Sequence, residues 1–416
     1  MRAIERGEIV MVKQHLLNNG VRIVEEHVEH VNSVSAGIWI LSGSRNENEK
    51  LEGISHLIEH MFFKGTKTKT AKQIAESFDM IGGETNAFTS KEYTCIYARV
   101  MDQHAIYAFD ILSDMFFHSN FDEVELEREK KVVLEEILMT EDTPDDIIFD
   151  YLHQTSFENH PLKTPILGTE GSLKEITRDD ILKYIDQFYT PDRIVISIAG
   201  NIQEGLIEHI KNTFSQLKSK HSTEDELFAF FNQDEVKKIK ETQQAHLTLA
   251  YRGLPIGHED MYPLLVFNNV LGGSMSSRLF QTIREELGLT YSIFSFHNAF
   301  RDNGLLTIYG ATSPHQIENM HEAIIKIVKD IKEHGISDKE LNNSIQQIKG
   351  QLVLGLENPN SRMHRNGRNE LLNQPHNSLQ DLIRKIENVD HSSIKEVSHH
   401  ILNSDPAKAL ILPEGV

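Results

Sequence analysis

Phe121-Asp122-Glu123-Val124-Glu125-Leu126 returns in pattern 215 residues later, as Ile336-Ser337-Asp338-Lys339-Glu340-Leu341. Each run opens a long charged helix. Each also follows a strand marked by a tyrosine, Ile96-Tyr97-Ala98 in one case and Ile308-Tyr309-Gly310 in the other. The strands are offset by 212 residues, so three residues were gained between the landmarks. A period of about 200 residues is far beyond the ~20–50 of a solenoid unit, and it reads as a duplicated domain. Chance similarity between two αβ units is the plainer alternative.

Working outward, strands are expected over 21–26, 33–41, 93–100, 194–199 and 245–251, and helices over 55–63, 71–80, 104–118 and 123–139. Strands alternating with helices make αβ domains. Strand order is not readable at this level. The polar, weakly patterned stretch 218–244 is expected to link domains spanning 1–217 and 245–416.

Composition narrows the function. Apolar residues at 39% of 416 allow a substantial core. A net charge of −20 argues against nucleic acid, which needs a basic footprint, and suits basic peptides. One cysteine, Cys95, excludes an internal disulfide framework and fits a reducing compartment. It lies in an apolar strand and reads as inert core. No signal-peptide stretch or ~20-residue apolar span is present, so no membrane association and a soluble, cytoplasmic protein are expected. Residues 1–10 read as an optional extension.

His56-Leu57-Ile58-Glu59-His60 stands clear of this background. On a helix His56, Glu59 and His60 share a face while Leu57 and Ile58 turn toward a core. Two imidazoles one turn apart suit a zinc ion, and a carboxylate beside them suits proton abstraction from water. This is the inverted zinc-protease spacing, H-x-x-E-H. A solvated helix face could carry the same letters. A catalytic zinc needs a third protein ligand, for which the 123–139 helix offers Glu129, Glu135 and Glu136. Glu129 and Glu136 share a stripe bordering the apolar side, and Glu135 turns about 100° away. For any single glutamate a charged outer face is the simpler reading.

The run from His56 to Thr66, HLIEHMFFKGT, resembles the zinc helix of the pitrilysin and mitochondrial processing peptidase family, the inverzincins. Gly82-Gly83-Glu84-Thr85-Asn86-Ala87-Phe88-Thr89 resembles the family's next segment. Glu136, 76 residues after His60, matches the third ligand, and Glu129 a second family glutamate. Ser277-Arg278-Leu279-Phe280, followed by Arg284 and Tyr291 at a seven-residue step, resembles the family's Arg…Tyr signature. The likeness covers nearly the whole chain and is closest to bacterial members with two domains per chain.

The resemblance implies an α+β fold of two homologous αβ domains. Each would be a mainly antiparallel sheet covered by helices, the two facing each other like a clamshell. It implies one zinc per chain on His56, His60 and Glu136, with Glu59 as general base and Glu129 orienting a ligand or the base. Asn86 and Ala87 would lie on an edge strand that pairs with extended substrate, and Phe62 would line a side-chain pocket, although aromatics after a helix are more often core. Arg284 and Tyr291 would contact substrate or the developing oxyanion. Family precedent suggests a homodimer. The expected activity is zinc-dependent endopeptidase action on peptides enclosed between the domains; the alternative is a non-catalytic, peptide-gripping subunit of the same family. The second half has no histidine at the motif's place, 268–272, and carries Ser344 and Gln351 where the first has Glu129 and Glu136. The pairs His27/His30 and His399/His400 read as solvated surface.

Overall fold

The computed structural model describes residues 12–221 and 227–415, so the 1–10 extension and the middle of the expected linker lie outside the described residues. The chain forms two compact units. The first comprises the described parts of Met1–Ile137, Pro165–Glu226 and Val353–Ser378; the second comprises those of Leu138–Thr164, Leu227–Leu352 and Leu379–Val416.

The first unit holds six strands: β1 (Lys13–Leu16), β2 (Arg22–His27), β3 (Ser33–Ile40), β4 (Glu84–Thr89), β5 (Thr94–Met101) and β6 (Ile194–Gly200). Their order is β1-β2-β6-β3-β5-β4, antiparallel except where β2 meets β6. The second unit holds β7 (Glu235–Lys240), β8 (Ala245–Arg252), β9 (Thr290–Ala299), β10 (Gly304–Thr312) and β11 (Ala407–Pro413), in the order β7-β11-β8-β10-β9. Here too one pair, β7 with β11, is parallel. Setting β1 aside, the two sheets have one topology. Tyr97 in β5 and Tyr309 in β10 occupy equivalent strands, as the repeat requires. The expected α+β class of two like domains with mainly antiparallel sheets is what the chain adopts.

The helices of the first half are α1 (Ile54–Phe62), α2 (Ala71–Asp79), α3 (Ala105–His118), α4 (Glu123–Glu141) and α5 (Pro144–Ser156). One face of the first sheet is packed by α1 and α3 around Ile38, Ile96, Leu57, Ile58, Phe109 and Leu112, all fully or almost fully buried.

The units depart from contiguous halves. Helix α5 belongs to the second unit, where Ile148 and Leu152 join Leu305, Tyr309 and Ile411 in a buried cluster. Helix Pro359–Leu371 belongs to the first unit and lies on β2, β3 and β6. There Met363 O accepts the Ser197 hydroxyl at 2.7 Å, and Glu26, 4% exposed, binds Arg362 and Asn366. Both helices begin at a proline, the position where its missing N–H is harmless. Apolar periodicity shows that a helix has a face to bury, not which sheet it covers. The linker reading is likewise modified, because β7 lies inside 218–244. No helix among the described residues is long and apolar enough to cross a membrane.

Candidate metal centre

Helix α1 begins without a capping side chain. Its N-cap is Gly53, at φ 88° in the left-handed region, where a Cβ would also meet Leu167 O at 2.5 Å. The acceptor comes instead from Glu47, which takes the Gly53 N–H at 2.7 Å and the Ser55 N–H at 2.9 Å. Burial pushes the Glu47 carboxyl up to about 7, against the pull of these bonds.

From that start the helical period sorts the side chains. Ile54, Leu57, Ile58, Met61 and Phe62 are buried, while His56, Glu59 and His60 emerge together, half-buried. Glu136 reaches them from α4. Its Oε2 lies 3.8 Å from His56 Nε2 and 3.7 Å from His60 Nε2. These separations exceed a hydrogen bond. They approach the ~3.4 Å edge of a tetrahedron built on zinc bonds of ~2.0–2.1 Å. It is the one such three-residue cluster among the described residues. Glu135 is exposed and turned away.

The donor set fits zinc chemically. Burial, with His60 nearby, holds His56 down to about 4, so its ring is neutral and carries a lone pair. Its Nδ1 is buried and makes no hydrogen bond, so no protein group competes for the ring. His60 Nδ1 lies 3.1 Å from Glu129 Oε2, and Lys64 Nζ lies 2.7 Å from Glu129 Oε1. A carboxylate on Nδ1 keeps the proton there and turns the Nε2 lone pair toward the centre.

Glu59 stands beside this trio, its Oε2 accepting the Thr89 hydroxyl at 2.5 Å. Burial raises its carboxyl above the ordinary range and Glu136 adds to the rise, while Thr89 and His60 oppose it. Cys95 is fully buried and its thiol is pushed up, which fits an inert role.

The other expected site residues divide. Asn86 and Ala87 lie on β4, an outer edge strand as expected: Asn86 is exposed and Ala87 packs on the core. Phe62 is corrected. It is 1% exposed, packed among Phe116, Phe121 and Tyr189, and lines no pocket. It falls on the same helical stripe as Ile58, which the core claims. Arg284 and Tyr291 belong to the second unit and come together there, with the guanidinium 4.5 Å from the Tyr291 ring and equally close to Phe280. Tyr291 is 79% exposed. Arg278 is spent on structure, bonding Glu340, Asp330 and Gly335 O. In the second unit Ser344 donates to the buried Asn269, so a neutral pair stands near the place of the lost metal motif. His399 and His400 are exposed, as are His27 and His30. Sequence reading did not single out Thr89, Lys64 or Glu47. The first two lie inside the quoted motif segments; Glu47 carries no local signal.

Comparison with known proteins accords with this geometry. A family profile described as Insulinase (Peptidase family M16) matches residues 22–170, and one described as Peptidase M16 inactive domain matches 175–348. A Bacillus subtilis protein named uncharacterized zinc protease YmxG is 50% identical over 97% of this chain and 99% of its own length. The chain belongs to peptidase family M16. A Streptomyces coelicolor relative, also named an uncharacterized zinc protease, is 35% identical over 98% of this M16 chain and 91% of its own. In structure the chain is similar to a protease from Helicobacter pylori, with TM-score 0.91 and 20% identity over 98% of this chain and 100% of that one. It is also similar to a Pseudomonas fluorescens protein titled peptidase M16 inactive domain, with TM-score 0.89 and 18% identity over 97% of both chains. These two likenesses speak for the M16 fold. The profile described as inactive covers most of the second unit's sheet, where the described residues form no metal cluster.

Proposed function

We propose that this chain is a zinc-dependent endopeptidase with one zinc site, held by His56, His60 and Glu136, and with Glu59 as its general base. The observation that carries the reading is the convergence of those three ligand atoms with a buried carboxylate beside them. Zinc bound there would supply Lewis-acid polarisation and lower the pKa of water to about 7. Glu59 takes the proton of the attacking water and hands it to the leaving amine, a proton-transfer role worth ~10²–10⁴ in rate. Glu129 fixes the His60 tautomer and ring. An extended peptide is read as pairing along the open edge of β4 near Asn86 and Ala87. Arg284 and Tyr291 are read as donors to substrate or to the oxyanion. The reading extends to a cytoplasmic homodimer acting on unfolded, preferentially basic peptides.

The test is metal content and peptide cleavage for the wild type, Glu59→Gln and Glu136→Gln. The expected pattern is one equivalent of zinc in the first two, cleavage in the wild type alone, and zinc loss in Glu136→Gln. Equal cleavage by wild type and Glu59→Gln would remove Glu59 as the base. A zinc-loaded wild type that binds peptides without cleaving them would make the chain a gripping subunit.

A further inference from the structure

We infer that Thr89 is a positioning residue for Glu59, pinning one carboxylate oxygen so that the other faces the reacting water. The inference rests on the peptidase reading and deepens it. The contact is a 2.5 Å donation from Thr89 Oγ1 to Glu59 Oε2. Its direction follows from the neighbours. Thr94 Oγ1 lies 3.4 Å from Thr89 Oγ1, but the Thr94 proton goes to Ser42 O at 2.9 Å. The Thr89 proton is therefore left for Glu59, and a hydroxyl with one proton fixes one oxygen.

What makes this a held geometry is the segment Gly43 to Glu47, which grips both partners. At one end it clamps the turn that closes β4, on which Thr89 is the last residue. Ser44 N–H donates to Ser90 O at 3.3 Å and Arg45 N–H to Lys91 O at 2.7 Å. Arg45 and Glu92 form a 2.8 Å ion pair whose side chains are 4% and 3% exposed. The approach is so close that a Cβ on Gly43 would sit 2.3 Å from Ser90 O. At its other end the segment grips the first turn of α1 through Glu47, and α1 carries Glu59. One short stretch thus sets the distance between the strand end bearing the hydroxyl and the helix bearing the base. A base held in one rotamer by a supporting hydrogen bond is pre-organised for proton transfer, whereas a swinging carboxylate spends most of its time misaligned.

Thr89 also shares a face of β4 with Ala87, two residues earlier. The strand read as the peptide's docking edge is therefore the strand that aims the base, so substrate register and base orientation share one element.

The experiment uses the full-length zinc-loaded chain and an unstructured fluorogenic peptide, comparing wild type, Thr89→Val and Thr89→Ser. Valine keeps the shape and removes the donor; serine keeps the donor and loses a methyl. The expected result for Thr89→Val is a kcat lower by about tenfold, the worth of a hydrogen bond to a charged group, with KM, zinc content and melting temperature unchanged. Thr89→Ser should restore most of the lost kcat. Wild-type kcat in Thr89→Val overturns the proposal, as does a Thr89→Ser chain no better than Thr89→Val. Loss of zinc or fold in Thr89→Val also overturns it, by making the role structural. A zinc-loaded wild type that cleaves nothing overturns the peptidase reading itself. A cleaving wild type with an indifferent Thr89→Val overturns the Thr89 role alone.

Discussion

Replacing Glu47 by glutamine isolates the group that starts the metal helix. Glu47 is 5% exposed and is the acceptor for the Gly53 and Ser55 N–H groups. Burial raises its carboxyl from 4.5 to about 7. Because the folded value lies above the unfolded one, the folded chain holds more protons between those two pH values. The ionised carboxyl then opposes folding, and stability falls as pH rises from about 4.5 to about 7. A shift of this size corresponds to about 3 kcal/mol lost across the window. Glu47→Gln cannot titrate, so it lacks this slope. It also offers one acceptor where the carboxyl offers two, leaving a buried N–H unpaired at a cost of about 1–3 kcal/mol. In urea unfolding of the metal-free chain, Glu47→Gln should therefore be less stable than wild type at pH 5, and the gap should shrink or reverse by pH 8. The slope of the denaturation midpoint against pH, compared between the two proteins, is the readout. Parallel pH curves would refute the reasoning. A gap that widens with pH would show that the N–H bonds, not burial, decide the charge of Glu47.

Arg362→Met should destabilise the chain by about 3–5 kcal/mol, because it leaves the buried Glu26 carboxylate short of its cation. Pairing it with Glu26→Met should recover much of the loss in chemical denaturation, and a double variant as weak as the single one would contradict this. Glu129→Gln should lower zinc affinity about 10–100-fold in chelator competition, since His60 loses the partner that fixes its tautomer; unchanged affinity would leave Glu129 a structural residue. Gly43→Ala should displace the Ser90–Glu92 turn, its Cβ being built 2.3 Å from Ser90 O. The expected outcome is a lower melting temperature together with lower kcat, and a fully active variant would show that the 43–47 segment does not position the site.

How much of this was legible beforehand depended on the range of the interactions. The α1 face, the stripe that brings Glu136 rather than Glu135 to the site, and the duplication behind the two matching sheets all rest on local periodicity, which a single chain displays. What escaped was set by partners distant in sequence. Thr89 reads as an ordinary strand residue until α1 is docked 30 residues away. Glu47 looks like one more surface acid until the first turn of α1 folds over it. Phe62 sits beside the zinc motif, which suggested a pocket, yet its helical stripe belongs to the core. Strand β7, Glu235-Val236-Lys237-Lys238-Ile239-Lys240, resembles a linker because edge strands carry lysines in place of apolar runs.

The two exchanged helices make the covalent join between the halves dispensable. Were the backbone cut near Lys220, the fragment before the break would still carry α5, which completes the buried cluster around Tyr309 and Ile411. The fragment after it would still carry Pro359–Leu371, whose Gly367 leaves just enough room for the Trp39 ring. Neither fragment has the helix that shields its own sheet, so neither satisfies its apolar surface alone. A nicked chain should behave as an obligate heterodimer, co-purifying under native conditions and separating under denaturing ones. The same logic describes a simple ancestor: two identical half-chains that traded helices before a gene fusion joined them.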